Sequence, residues 1–256
     1  MLSQFHTIIK EAPMILPSQH LTLLIIIPGH ICAFTIDVAG TDEALLNLEG
    51  MGNPGRDSTT LSIVDVDLST LETLQSPTYR IVHRQAWQGI SHLVAFGKLK
   101  AFADIWQPQY LIVDATGVGE GLWVMLDKAF PEKVIPVKFT QQEKSEVGYR
   151  YIMVIETGRV RDCVHTAEVH LQYAHVQSEI LIGPAKTMRW GVPDGTRDSH
   201  TGELIHDDHV TADSLISKLD ELEWIAPIEI GLAHKYTLRR CPNAPKPKPR
   251  KPKKTK

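Results

Sequence analysis

Between residues 30 and 140 the hydrophobic pattern changes period in an order that few architectures accept. Three strand-like segments follow one another directly. They are "HICAFTIDVAG" (30–40), an apolar, β-branched run closed by Gly40; "TTLSIVDVDL" (59–68), with apolar and polar residues alternating; and "TYRIVHRQAWQG" (78–89), of similar kind. Short apolar runs and two-residue alternation are the marks of strands. The period then lengthens in "SHLVAFGKLKAFADIWQ" (91–107), where Leu93, Phe96, Leu99, Ala103 and Trp106 fall on one helical stripe behind an N-cap at Ser91. "YLIVDATG" (110–117) returns to a buried strand, "EGLWVMLDKAF" (120–130) is a helix stopped by Pro131, and "VIPVKFT" (134–140) is a fifth strand. Consecutive strands can form an antiparallel meander, whereas strands separated by helices take parallel crossovers. The expected fold class is therefore α/β: a mixed five-stranded sheet, an antiparallel three-strand meander plus parallel strands, with helices on both faces.

The remaining segments fill in around that sheet. Residues 41–58, with Gly50, Gly52, Pro54 and Gly55, read as a loop. Two helical stretches are expected at about 141–158 and 165–181, an extra β-hairpin around Trp190 within 186–205, and a last helix over about 207–223. Residues 1–28 are expected to be a linker or the remnant of a truncated upstream segment, residues 29–225 the folded domain, and residues 226–256 a Pro/Lys-rich basic tail without fixed structure. Of the 27 Lys and Arg, seven lie within residues 241–256, where there is no acid; the body keeps 20 against 30 acids. A body that acidic is a poor general binder of polyanions unless bound divalent cations invert its charge locally. The longest apolar run, "LTLLIIIPG", is far shorter than the roughly 20 residues a membrane helix needs. A cytoplasmic protein with no membrane partner is expected.

Three acidic positions stand out against their surroundings. Asp37 interrupts the apolar run of the first strand between Ile36 and Val38, where a buried carboxylate needs a partner or a metal; the alternative is an acid near the strand end bonding to the following turn. Asp114 closes another apolar strand and leads into a turn with Gly117, Gly119 and Gly121. Ligands collect at the carboxyl ends of parallel strands. The glycines are spaced GxGxG and not GxGxxG, which argues against a dinucleotide site. Gly117 and Gly119 would serve either close approach of a nucleic-acid phosphate or the geometry of the turn. In "HDDHVTADSL" (206–215), Asp208 shares a helical stripe with Ala212, Leu215, Leu219 and Leu222 and so points at the sheet. Asp207, rotated about 100° away, is placed for an N-cap or a supporting ligand. Clustered carboxylates raise one another's pKa unless cations neutralise them. Hard oxygen ligands of this kind suit Mg²⁺ or Mn²⁺, and two such ions can clamp the attacking and leaving oxygens of a phosphodiester.

These residues resemble the C-terminal nuclease domain of the terminase large subunit of tailed bacteriophages, a member of the RNase H-like (retroviral integrase) superfamily. The likeness is carried by "TIDVAG", "GRDSTTLSIVDVD", "IVDATGVGEGLWVML", "VKFT" followed by "EKSE", and "HDDHVTADSL", in that order across roughly residues 30–224. It implies an endodeoxyribonuclease that cuts concatemeric double-stranded DNA during packaging, with two divalent cations, Mg²⁺ or Mn²⁺, held by Asp37, Asp114, Asp208 and Asp207. The implied partners are double-stranded DNA, the portal, the small terminase subunit and an ATPase that is separately encoded or missing. No GxxxxGK[ST] phosphate loop is present. A prophage remnant or a free-standing nuclease in the bacterial host cytoplasm would both account for that.

Other residues have two readings each. Asp57 is a further ligand or an exposed loop acid. Lys144 contacts DNA, screens the carboxylates or is merely solvated, and His206 ligates a metal, orients water or supports a ligand. Rival functions are a Holliday-junction-resolvase-like nuclease on the same fold, and a catalytically vestigial DNA- or portal-binding packaging module.

Overall fold

Strand β1 (His30–Asp37) lies at the centre of a six-stranded sheet. In the computed structural model, residues 29–39, 57–182 and 186–225 are described. The expected linker at 1–28, most of the loop at 41–58 and the basic tail at 226–256 lie outside them. β1 pairs antiparallel with β2 (Ser58–Asp67), and β2 antiparallel with β3 (Thr78–Gln88), which gives the meander. On its other side β1 pairs in parallel with β4 (Tyr110–Asp114), and β4 with β5 (Val134–Val137). The five expected strands are all present.

A sixth, β6 (Val160–Asp162), adds in parallel to the start of β3, so the order is β5-β4-β1-β2-β3-β6. Three residues with no buried apolar side chain carry no periodic signal, and only pairing with β3 makes them a strand. A short helix α1 (Leu71–Leu74) links β2 to β3.

Alternation sorts the side chains onto two faces. Cys32, Phe34 and Ile36 of β1 join Leu111 and Val113 of β4 beneath α2 (His92–Trp106) and α3 (Gly119–Ala129). Ala33 and Ile112 face the opposite way, toward α4 (Gln141–Glu156), α5 (Ala167–His175), α6 (Asp208–Ser214) and α7 (Ile216–Leu219). The stripe on α2 is rotated from the expected one: Ala95, Leu99 and Ala103 are buried, whereas Leu93 is 71% exposed. Ser91 caps this helix as expected, its hydroxyl accepting from the Val94 amide.

The β2–β3 ladder contains a bulge. Val64 pairs with Ile81 and Ile63 with His83, leaving Val82 without a partner. One extra residue reverses which face each following side chain takes. Tyr79 and Ile81 therefore face α4–α7, yet beyond the bulge it is Arg84 that does so, and His83 stacks on Phe102 and Trp106 of α2.

Two expected helices are shorter than their periodicity implied. The stretch 165–181 stops at His175, and Gln177–Leu181 forms β7, paired with β8 (Thr187–Gly191) as a separate two-stranded sheet. The hairpin thus begins before residue 186, while Arg197 and Leu204 form only an isolated bridge. The last helix is two short ones meeting at Leu215. Among the described residues no helix is long and apolar enough to cross a membrane.

Candidate active site

Asp37 and Asp114 are the last residues of two adjacent parallel strands. The ladder sets Ile36 against Val113, which brings the next pair level. Both fall on the face covered by α6, because alternation gives them the parity of Ala33 and Ile112. α6 crosses that face with all seven residues buried, and its first residue is Asp208. These three elements place Asp37, Asp114, Asp207 and Asp208 around one cleft of about 280 Å³, lined also by Val38, Ala39, Asp57, Thr116, Phe139, Lys144 and Thr211.

Backbone donors aim each carboxylate. The Thr116 amide donates to Asp114 Oδ1 at 2.8 Å, and the Thr116 hydroxyl accepts from the Phe139 amide at 2.8 Å, tying the turn after β4 to the end of β5. The Ser58 amide donates to Asp208 Oδ2 at 2.7 Å across 150 residues of sequence. Asp207 occupies the N-cap position of α6 but caps nothing with its side chain. Its Oδ2 instead accepts from the Val192 amide at 3.3 Å. Of the two readings of Asp207, capping is the one the geometry leaves out.

α6 is held in place further along by a buried ionic cluster. Asp213 accepts from the Ser62 hydroxyl at 2.7 Å, from Arg84 Nη2 at 2.7 Å and from the Tyr173 hydroxyl at 2.9 Å. Arg84 also donates to Asp162 and to the Val164 carbonyl. Its place opposite Ser62 in the β2–β3 ladder is what turns Arg84 toward this helix.

The remaining expected residues divide between the cleft and its supports. Asp57 has a largely exposed side chain, yet its Oδ1 lies 2.7 Å from His206 Nδ1. Ligand atoms of Asp57, His206 and Asp208 all fall within 4.8 Å of one another. Gly117 and Gly119 are not among the residues lining the cleft. Gly117 has φ +53°, which favours glycine, and a Cβ on Gly119 would lie 2.3 Å from the Asp114 carbonyl oxygen. Their visible role is the turn and the close seating of α3. Thr116 and Thr211 line the cleft and escaped the sequence expectations; only the position of Thr116 in "DATG" hinted at it.

Electrostatics make the cleft a candidate site for cations. Burial, then the neighbouring carboxylates of Asp208, Asp114 and Asp207, push Asp37 well above the usual carboxylate range. Burial likewise raises Asp114, and it raises Asp208 to about 7. His206 Nε2 is a buried nitrogen with no hydrogen-bond partner. Oxygen donors that resist ionising together, beside an unsatisfied imidazole nitrogen, suit a hard divalent cation.

The sign of the pH effect follows. Asp208 holds its proton more tightly folded than unfolded, so its favourable contribution is complete below about pH 4 and is lost as pH rises through about 7. Asp208→Asn is therefore expected to be more stable than the wild type in EDTA. The gap should grow from about pH 5 to pH 8 toward something on the order of 4 kcal/mol. Urea unfolding of both proteins at a series of pH values measures it; a gap independent of pH would contradict the buried setting of this carboxylate.

The family model described as the Terminase RNaseH-like domain matches residues 50–170. No curated protein sequence matches the chain. Among solved structures, the large terminase nuclease from thermophilic phage G20c with bound magnesium is similar, with a TM-score of 0.57 and 17% identity over 85% of this chain and 95% of that one. The same phage's nuclease with bound zinc gives a TM-score of 0.51 at 16% identity, over 86% of this chain and 98% of that one. The large terminase nuclease domain of Thermus phage P74-26 gives 0.51 at 16% identity, covering 84% and 92%. At such identities the structural likeness speaks for the fold alone. The family match adds a likeness in sequence over the segment that holds Asp57, Asp114 and Lys144. Over residues 50–170 this chain is similar in sequence to the terminase RNase H-like domain, and its fold is similar to that of large terminase nucleases.

Proposed function

We propose that the cleft is the active centre of a metal-dependent endodeoxyribonuclease of phage DNA packaging, cutting concatemeric double-stranded DNA. The observation that carries this reading is the convergence of Asp37, Asp114, Asp207 and Asp208, from two strand ends and one helix start, on a single cleft. Asp37 would be shared between two divalent cations, and Asp114, Asp208 and Asp207 would complete the set of carboxylates that holds them. Two bound Mg²⁺ or Mn²⁺ ions would supply charge neutralisation at the scissile phosphate, an activated water and stabilisation of the leaving oxygen. The backbone amides of Ser58 and Thr116 keep the carboxylates oriented in the meantime. Asp57 with His206 supports the Asp208 side. Expected partners are DNA, the portal, the small terminase subunit and a packaging ATPase, in the bacterial host cytoplasm.

Incubation of the purified protein with supercoiled plasmid tests the reading. Nicked and linear products are expected with Mg²⁺ or Mn²⁺ and none with EDTA. Equal cleavage in EDTA, or none with either metal, would overturn it.

A further inference from the structure

One wall of the acidic cleft carries a positive charge whose position is fixed by the β7–β8 hairpin. Lys144, half-buried in the first turn of α4, lines the cleft. Its ammonium lies 5.2 Å from the centroid of the Trp190 ring. That ring is itself pinned. Trp190 Nε1 donates to the Lys144 carbonyl at 2.6 Å, and two residues earlier the Met188 amide donates to Ser145 Oγ at 2.8 Å.

Two glycines leave the necessary room. A Cβ on Gly148 would lie 2.2 Å from Trp190 Nε1 and 2.8 Å from Met188 Cε, so no larger residue fits under the ring. Gly191 has φ +135°, and its Cβ would lie 2.3 Å from Asp207 Oδ2 and 3.9 Å from Lys144 Nζ. Hairpin, ring, ammonium and Asp207 thus meet at one point. The same ammonium lowers Asp37 and Asp114 against the burial that raises them. A lysine that served only solubility would need neither the ring nor the glycines, and holding its flexible stem has an entropic cost.

We propose that Trp190 is a positioning residue that holds the Lys144 ammonium at the carboxylate cleft as a built-in counter-ion, with which an incoming divalent cation competes. The inference rests on the divalent-cation reading of the cleft. Cation–π attraction to the indole face keeps the charge from swinging into solvent, where it would be screened. A fixed positive charge repels a doubly charged ion more strongly than it repels a single proton. Removing it therefore favours the metal even though the carboxylates become more basic.

Calorimetric titration of the whole 256-residue chain with Mn²⁺, without DNA and at about pH 8.5 to limit proton competition, reads this directly. Lys144→Met, which keeps the aliphatic stem on the ring, is expected to tighten Mn²⁺ binding by about 3- to 10-fold. Lys144→Arg, which restores the charge, should stay within about twofold of the wild type. Trp190→Leu should move affinity in the direction of Lys144→Met, and the double variant should go no further than Lys144→Met alone. If Trp190→Leu fails to fold, Trp190→Phe, which keeps an aromatic face, takes its place and is expected at wild-type affinity. Unchanged or weaker binding in Lys144→Met overturns the counter-ion role. Wild-type affinity in a folded Trp190→Leu, or altered affinity in Trp190→Phe, overturns the positioning role. Absence of Mn²⁺ binding in the wild type removes the nuclease reading itself.

Discussion

Asp213→Ala is expected to destabilise the domain by about 3–5 kcal/mol, a large part of the roughly 5–15 kcal/mol that holds a typical domain together. Asp213 is fully buried and accepts from Ser62, Arg84 and Tyr173. Without it Arg84, whose side chain is 2% exposed, keeps only Asp162 and the Val164 carbonyl. A guanidinium cannot shed its charge to escape the interior, so the loss falls on the folded state in full. The Tyr173 hydroxyl would keep its contact with Tyr151, at 2.7 Å, and lose its carboxylate.

Asp213 lies five residues after Asp208 on α6, about 7.5 Å along the axis. The clamp that holds the helix down therefore also aims the acid at its start. Urea unfolding followed by circular dichroism checks the magnitude. A loss below about 1 kcal/mol would mean that Asp162 alone satisfies Arg84.

The second large effect has the opposite signature. Asp37→Asn and Asp114→Asn are expected to lower metal-dependent plasmid cleavage by about 100-fold or more, since even partners outside the ligand set cost 10–100-fold. Neither should weaken the fold. Both carboxyls are pushed up by burial, so replacing either with a neutral amide relieves a desolvation cost instead of breaking a favourable pair. Thermal unfolding in EDTA at about pH 8 should show Tm equal to or above that of the wild type. Measured on the same samples, loss of cleavage with retained or raised Tm identifies cleft residues, and loss of both identifies the clamp. Full cleavage by either amide variant would sink the assignment of the carboxylates.

Much of this arrangement is legible in the sequence because strand alternation is a strict code. Once "FTID" and "LIVD" are strands, parity alone puts Asp37 and Asp114 on one face, and the parallel crossover brings them level. The same holds for Asp208, whose place on a helical stripe foretells its inward aim. What stayed hidden was set by tertiary partners. "VRD" is a strand only because the start of β3 has a free edge beside it. "QSEIL" continues a helical pattern from α5, yet pairing with β8 overrides it. α6 is buried on every side, so its amphipathic stripe understated its position at the centre of the fold. The reach of Asp57 to His206 and of Asp207 to Val192 depends on side-chain direction, which no spacing rule contains.

The unpaired Val82 has a consequence for how chains of this kind can change. It works as a parity switch: upstream of it odd-numbered residues of β3 look toward α6, and downstream even-numbered ones do. Deleting that one residue would leave a regular ladder and a perfectly good strand. It would also leave Ser62 opposite Arg84 and Ile63 opposite His83, so Arg84 would still face Asp213 and His83 the aromatic side chains of α2. The ladder partners, and not the count of residues between Tyr79 and Arg84, hold Arg84 on its face, so at this place the chain can shorten by one residue and keep the clamp.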